Sequence, residues 1–369
     1  MLINILLSLL VLNIMVIAHE LGHYILAKRN KIGVHEFAIG LGPTLLKKKW
    51  HDTLWLIKAF PLGGYNGLKG EMDAEKGSGN FSTAPKWAKL QVLLAGSFMN
   101  VLMAVVAFYL ALALYGWKVP IPLNFKPIGA VITTIGKPYP VVNAVVENSP
   151  MGKLGLTLPF QIVSVNQVAM TAPAEVVNAI SNSSTDSIDM EIITKDGSNQ
   201  IFVIRDENKK VGIQIGAAPI QLDYGSTLVN KTFSGFSHSA NMTVLTGRML
   251  GMMIAFTAKT GDYEPLGYAF AGPVAIVAAV GSVVTDSKTV VADLANMTGL
   301  IGISLALFNM LPFPGLDGWH IFLLFYEKAR GRKPNEKIVG IVTAIGLFCL
   351  LGLGALIMLK DVWMFFIRK

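Results

Sequence analysis

The chain has 369 residues, 53% of them hydrophobic and only 15% charged. Soluble domains carry about 25% charged residues, so this composition excludes an ordinary soluble protein and points to a membrane. The net charge of +8 would suit a nucleic-acid partner, but the cations gather in particular loops, which excludes that class; the single cysteine, Cys349, excludes an intrachain disulfide and a Cys-based zinc site.

Residues 1–18 have no basic start and run into His19 rather than a small-residue cleavage site, so a cleaved signal peptide is not expected. Four apolar runs reach the roughly 20 residues that a membrane-spanning helix needs: 3–27, 90–115, 297–316 and 338–359. A fifth, 269–284, is shorter and carries Gly272-Pro273, so it is expected to be re-entrant or interfacial. Lys28, Arg29, Lys31, Lys47, Lys48 and Lys49 lie between the first two spans. Lys328, Arg330, Arg332, Lys333 and Lys337 lie between the last two. The positive-inside rule puts both loops in the cytoplasm, with both termini and the central region outside it.

After the first span, Trp55, Ile57, Ala59 and Pro61 alternate as a strand. An exposed edge there offers pairing to an unfolded segment. The central region is β-rich and soluble in character. "PVVNAVV" and "FQIVSVNQVAM" read as strands, and "APAEVVNAIS" as a short helix with Pro at its start. "SIDMEIITKDGSNQIFVIRD" reads as a hairpin turning at Asp196-Gly197, and "KVGIQIG" closes the module. The expected organisation is residues 1–117 as an N-terminal membrane part, 126–217 as the inserted module, 218–292 as a linker with the short apolar segment, and 293–369 as the last two spans.

The chemistry sits in "VIAHELGHYILAKRN" (16–30), where His19 and His23 are four apart and share one helix face. The His-Glu-x-x-His spacing supplies two neutral imidazoles for zinc and a carboxylate, Glu20, as general base. Ionisable side chains at membrane depth are costly and usually functional. A catalytic zinc needs a third protein ligand. Asp317, in "NMLPFPGLDG" at the inner end of the third span, stands level with the histidines, and His320 is its rival three residues on. Pro312, Pro314, Gly315 and Gly318 break that span, which suits a site admitting water and an extended substrate. Asn309 precedes the break, where its amide would hold a peptide backbone or an oxyanion, or else bond a neighbouring helix.

His-Glu-x-x-His in the first span and "NMLPFPGLDG" late in the chain together resemble the site-2 protease family of intramembrane zinc metalloproteases. Within it, the chain is similar to the bacterial regulator-of-sigma-E protease branch. The resemblance implies one zinc ion held by His19, His23 and Asp317, with Glu20 as catalytic base. It also implies that Asn309 and Pro312 bind substrate or shape the site. "IKAFPLGGYNGLKGE" looks like the family's membrane-associated β region, which brings in Gly63, Gly64 and Tyr65 as its edge. "AGSFMN" in the second span matches a small-residue motif and makes Asn100 packing glue or site lining. "AGPVAI" (271–276) matches a segment before the third span.

The module resembles a PDZ domain of the permuted bacterial kind. Pro159-Phe160 and Gln167 replace its usual Gly-Asp and final Gly, which favours a size filter or dock over a carboxylate clamp. The implied fold is a polytopic α-helical membrane protein with about four spans, a membrane-associated β region and an inserted extracytoplasmic PDZ-like domain. The implied activity is cleavage of a single-span membrane protein, an anti-sigma factor or a remnant signal peptide, after an upstream site-1 protease has cut it. The place is the bacterial cytoplasmic (inner) membrane. Two other classes compete. A metal transporter would also bury His, Glu and Asp, but four spans without a repeat suit it poorly. A PDZ scaffold with a non-catalytic zinc site would have no need of the full set of catalytic residues.

Overall fold

A computed structural model of the chain describes residues 2–70, 79–122, 125–135, 139–195, 197–216, 220–263, 266–267, 270, 272–287, 289–332 and 334–364. Asp196 of the expected turn, Ala271 and Lys333 lie outside those residues. In chain order the elements begin with α1 (Leu2–Arg29), β1 (Val34–Trp50), β2 (Thr53–Leu68) and α2 (Lys86–Leu114). They continue with β3 (Lys118–Ile121), β4 (Val131–Thr134), β5 (Val141–Val145), β6 (Phe160–Val165), β7 (Val168–Ala169), α3 (Pro173–Ser181), β8 (Ser187–Thr194), β9 (Gly197–Ile204), β10 (Ile213–Gly216) and β11 (Ile220–Asp223). The remainder is helical: α4 (Leu228–Thr232), α5 (Ser234–Thr260), α6 (Pro273–Asp286), α7 (Val290–Asn309), α8 (Asp317–Arg330) and α9 (Glu336–Val362). Two compact units result: residues 1–116 with 232–369, and residues 117–231.

In the first unit, four helices among the described residues are long and apolar enough to cross a membrane: Asn4–Arg29, Lys86–Leu114, Val290–Asn309 and Lys337–Val362. The third corrects the expected 297–316, since it begins at Val290 and stops at Asn309. Pro312 and Pro314 have no N–H to continue it. Its early start places Asp293 in the first turn, where the hydroxyls of Tyr115, Ser287 and Thr289 all donate to the carboxylate. The short apolar run forms α6, whose 14 residues fall below a span's length. Its N-terminus is held by a buried carboxylate of α9. The Gly272 and Ala275 N–H groups donate to Asp361 Oδ2 at 3.0 and 3.1 Å, and Lys360 Nζ lies 3.0 Å from Asp361 Oδ1.

The helices meet through small residues. A methyl group on Gly302 of α7 would lie 3.1 Å from Ala104 Cβ of α2 and 3.3 Å from Met15 Sδ of α1. On Gly22 of α1 it would run into the Ala95 carbonyl of α2. Helix axes in a bilayer approach closely only where side chains are this small.

The two long strands fold back on themselves. Val34, Phe37, Ala38 and Ile39 pair on one side with Leu68, Asn66, Tyr65 and Gly64. Phe37–Ile39 also pair with Trp55–Ile57, while Lys47–Trp50 pair with Leu56–Thr53. The result is a four-stranded sheet, parallel where 36–39 meets 54–57 and antiparallel in its other two pairings, whose outermost segments are 44–50 and 64–68. Left-handed backbone at Gly40 and Gly42 (φ 86° and 87°) turns β1 where any side chain would strain. Among the described residues, the outer side of 64–68 pairs with no strand.

The second unit is β-rich. Its larger sheet runs β10-β5-β6-β8-β9 with β7 against β6, and a smaller one runs β3-β11-β4. The hairpin expected from the alternating pattern is β8–β9, with Thr194 opposite Gly197. Ile188, Met190 and Ile192 point inwards and are fully buried with Phe160, Ile162 and Val176. Burying each such side chain contributes about 1.5–3 kcal/mol. β3 and β11 lie outside the expected 126–217 and pair with each other, Val119 opposite Leu222.

Candidate metal centre

His19 and His23 lie on consecutive turns of α1, each less than a tenth exposed. Their Nε2 atoms are 3.1 Å apart. Asp317 Oδ2 lies 3.1 Å from the first and 3.3 Å from the second. The three side chains form a group with metal-ligand geometry.

The outer nitrogens decide what the inner ones carry. His23 Nδ1 donates to the Val92 carbonyl at 2.7 Å, so neutral His23 presents a lone pair at Nε2. His19 Nδ1 lies 3.2 Å from the Asn100 amide. The amide's oxygen and nitrogen are interchangeable at this level of detail. Turned so that Oδ1 accepts from His19 Nδ1–H, it also satisfies an oxygen that is otherwise buried without a partner. Both rings then aim lone pairs at a carboxylate oxygen that itself has no hydrogen-bond donor. Three lone pairs so close repel unless a cation lies between them. A tetrahedral zinc with ligand bonds of about 2.0–2.1 Å separates its ligand atoms by about 3.3–3.4 Å. The observed 3.1–3.3 Å fits such an ion.

The local sequence explains how Asp317 gets there. It is not on the third span, as its depth along the chain suggested; it opens α8. Beyond Asn309 the chain turns back through Pro312 and Pro314. Gly315 takes a φ of 101°, and Pro314 packs on Gly346 of α9. A methyl group on Gly318 would collide with the Met310 and Leu311 carbonyls, so only glycine lets the first turn of α8 close against the end of α7. His320, one turn further along α8, is outside the ligand group.

A cavity of about 260 Å³ lies beside the group, lined by His19, Glu20, Asp317 and four further predicted residues, Gly63, Gly64, Asn100 and Asn309. Tyr65 and Pro312 are not in its lining. The Tyr65 hydroxyl donates to Glu36 Oε2 at 2.8 Å, and Lys58 Nζ stands 4.7 Å over its ring. Alternation along the strand turns Tyr65 away from the face that Gly64 presents. Pro312 acts on the turn instead. A second cavity, of about 250 Å³, lies among Val101, Phe236, Ala240 and Leu307 and has no ionisable lining.

Three residues escaped the sequence reading. Asn66 Nδ2 donates to Glu20 Oε2 at 2.6 Å and to the Glu20 carbonyl at 2.7 Å. Asn13 Nδ2 donates to the Pro61 carbonyl at 2.6 Å. Gly96 brings the backbone of α2 against both histidine rings. The "AGSFMN" motif held a signal for Gly96 and "IKAFPLGGYNGLKGE" contains Asn66, whereas Asn13 belongs to no quoted motif.

A model of peptidase family M50 matches residues 7–353. The chain belongs to that family. It is similar to proteins named as candidate zinc metalloproteases. The one from Clostridium acetobutylicum is 28% identical, over 97% of each chain. That from a Nostoc species is 30% identical over 97% of this chain and 95% of the relative. That from Fusobacterium nucleatum is 26% identical over 98% and 99%. The matches run almost end to end, so they include the histidines of α1 and Asp317 of α8 in this M50 peptidase.

Proposed function

We propose that this chain is an intramembrane zinc metalloprotease of the site-2 type, in the regulator-of-sigma-E protease branch. Its zinc ligands are His19, His23 and Asp317, and Glu20 is its general base. The observation that carries this is the set of three lone pairs at mutual distances of 3.1–3.3 Å, on a helix apolar enough to span and beside a carboxylate. When bound there, zinc supplies Lewis acidity that polarises a peptide carbonyl and acidifies water. Glu20 takes the proton from the attacking water and passes it to the leaving amine. Asn309 holds the substrate backbone, and the unpaired side of 64–68 accepts the cleaved segment as an added strand, which unwinds it for attack.

The substrate is a single-span membrane protein, such as an anti-sigma factor or a remnant signal peptide, trimmed beforehand by a site-1 protease. The β-rich unit is a single PDZ-like domain that screens substrates by size. The protein sits in the bacterial cytoplasmic membrane, with its termini and the module outside and the metal near the cytoplasmic side, consistent with the cations of both short loops. Purified protein incubated with a transmembrane reporter tests this. Cleavage should stop with a chelator and return with zinc. Glu20→Gln should keep zinc and lose about 10²–10⁴-fold in rate, the scale of a general base. Near-normal turnover by zinc-loaded Glu20→Gln would remove Glu20 from the mechanism.

A further inference from the structure

Residues 61–66 run along α1 fastened at both ends by asparagine amides. At one end Asn13 Nδ2 donates to the Pro61 carbonyl at 2.6 Å and to the Leu9 carbonyl at 2.7 Å. At the other, Asn66 Nδ2 bonds both the carbonyl and the carboxylate of Glu20. Asn13, Val16 and Glu20 share one face of the helix, three and four residues apart. Between the fastenings, a methyl group on Gly64 would touch Glu20 Cγ at 3.4 Å and Val16 Cγ1 at 3.5 Å. The strand thus has no room to slide over the helix.

Both partners of Asn66 Nδ2 are acceptors, so the amide's orientation is fixed by chemistry. Its two N–H groups are both spent on Glu20. One anchors the backbone at that residue and the other holds Oε2 of the carboxylate. A glutamate side chain has several rotatable bonds, and a general base must stand within hydrogen-bond reach of its proton. We propose that Asn66 is the positioning residue for Glu20, holding one carboxylate oxygen so that the other faces the cavity. Because Asn66 belongs to the strand with the free edge, it also ties the register of an added substrate strand to the base. This rests on Glu20 being the base. Outer partners that orient groups at metal sites are worth about 10- to 100-fold in activity.

The test uses the full chain and the transmembrane reporter. Asn66→Leu keeps the size and removes the donor. It should keep its zinc and lower kcat about 10- to 100-fold with little change in KM. Asn66→Ser, which restores one donor, should recover part of the loss, and it is judged by the same measures if Asn66→Leu does not fold. Asn13→Leu cuts the other fastening and should raise KM more than it lowers kcat. Reporter affinity measured in the Glu20→Gln background should be unchanged by Asn66→Leu. The inference is overturned if Asn66→Leu turns over normally, if it loses zinc, or if it weakens reporter binding as much as it slows cleavage. If zinc-loaded Glu20→Gln is itself active, the failure lies with the base assignment and not with Asn66.

Discussion

Gly96→Ala adds one methyl group to α2 at the point where it meets the histidines. That methyl carbon would lie 2.6 Å from His19 Nε2 and Cε1, and nearer still to His23 Nε2. Unstrained contacts of this kind need about 3.5 Å, so the shortfall is about 0.9 Å. Two effects oppose each other. Alanine favours a helix over glycine by about 1 kcal/mol. Overpacking a closed interface costs about 1–3 kcal/mol. The helices cannot part easily, because Gly22 on the facing side already rests on the Ala95 carbonyl. Nor can His23 swing away without losing its 2.7 Å bond to the Val92 carbonyl. The rings must move, and with them the metal site.

The expected result is a folded protein of unchanged helix content whose zinc affinity falls about 10- to 100-fold. Competition titration with a chromophoric chelator measures the affinity, and far-UV circular dichroism checks the fold. Ser97→Ala, one position along, is the control. Its buried hydroxyl has no hydrogen-bond partner among the described residues, so the change should not destabilise the protein and should leave zinc alone. Wild-type affinity in Gly96→Ala would show that the rings do not lie against α2 there.

Two more outcomes follow from the site and the module. Asp317→Ala should lose most of its zinc and all activity, while His320→Ala keeps zinc and at least part of the activity; metal analysis of the two variants decides, and the reverse pattern would make His320 the third ligand. Deleting 128–217 should leave zinc content intact while bulky, untrimmed reporters become substrates, and continued refusal of such reporters would end the size-filter assignment.

Much of this was legible from the sequence because two physical signals are strong. Long apolar runs have few alternatives to spanning helices, and histidines four apart on such a run have few alternatives to a metal. The hairpin of β8 and β9 was equally plain, since Ile188, Met190 and Ile192 alternate with more polar neighbours. What was not legible depends on the chain returning to itself. The third helix was expected at 297–316, and the Tyr115 and Ser287 hydroxyls that bond Asp293 in its actual first turn meet that residue only in three dimensions. The double pairing of Phe37–Ile39 is also tertiary, set by glycine turns at Gly40 and Gly42 rather than by any local pattern. Asn66 lies in the stretch read as a β region, but its tie to Glu20 is visible only when that strand is laid along α1.

Charge explains why the third ligand should be a carboxylate. Two neutral imidazoles leave the full 2+ charge of a zinc ion uncompensated. In the proposed site Asp317 would remove one unit of that charge. Substituting His320 for Asp317 as the ligand would remove none of it. Uncompensated charge at membrane depth is costly. The N-terminus of α8 also favours an anion at its first residue, and Asp317 stands there. The break after Asn309 therefore does more than admit water. It stops α7 short, turns the chain on Gly315 and Gly318, and delivers a carboxylate on the end of a new helix to the two histidines of α1.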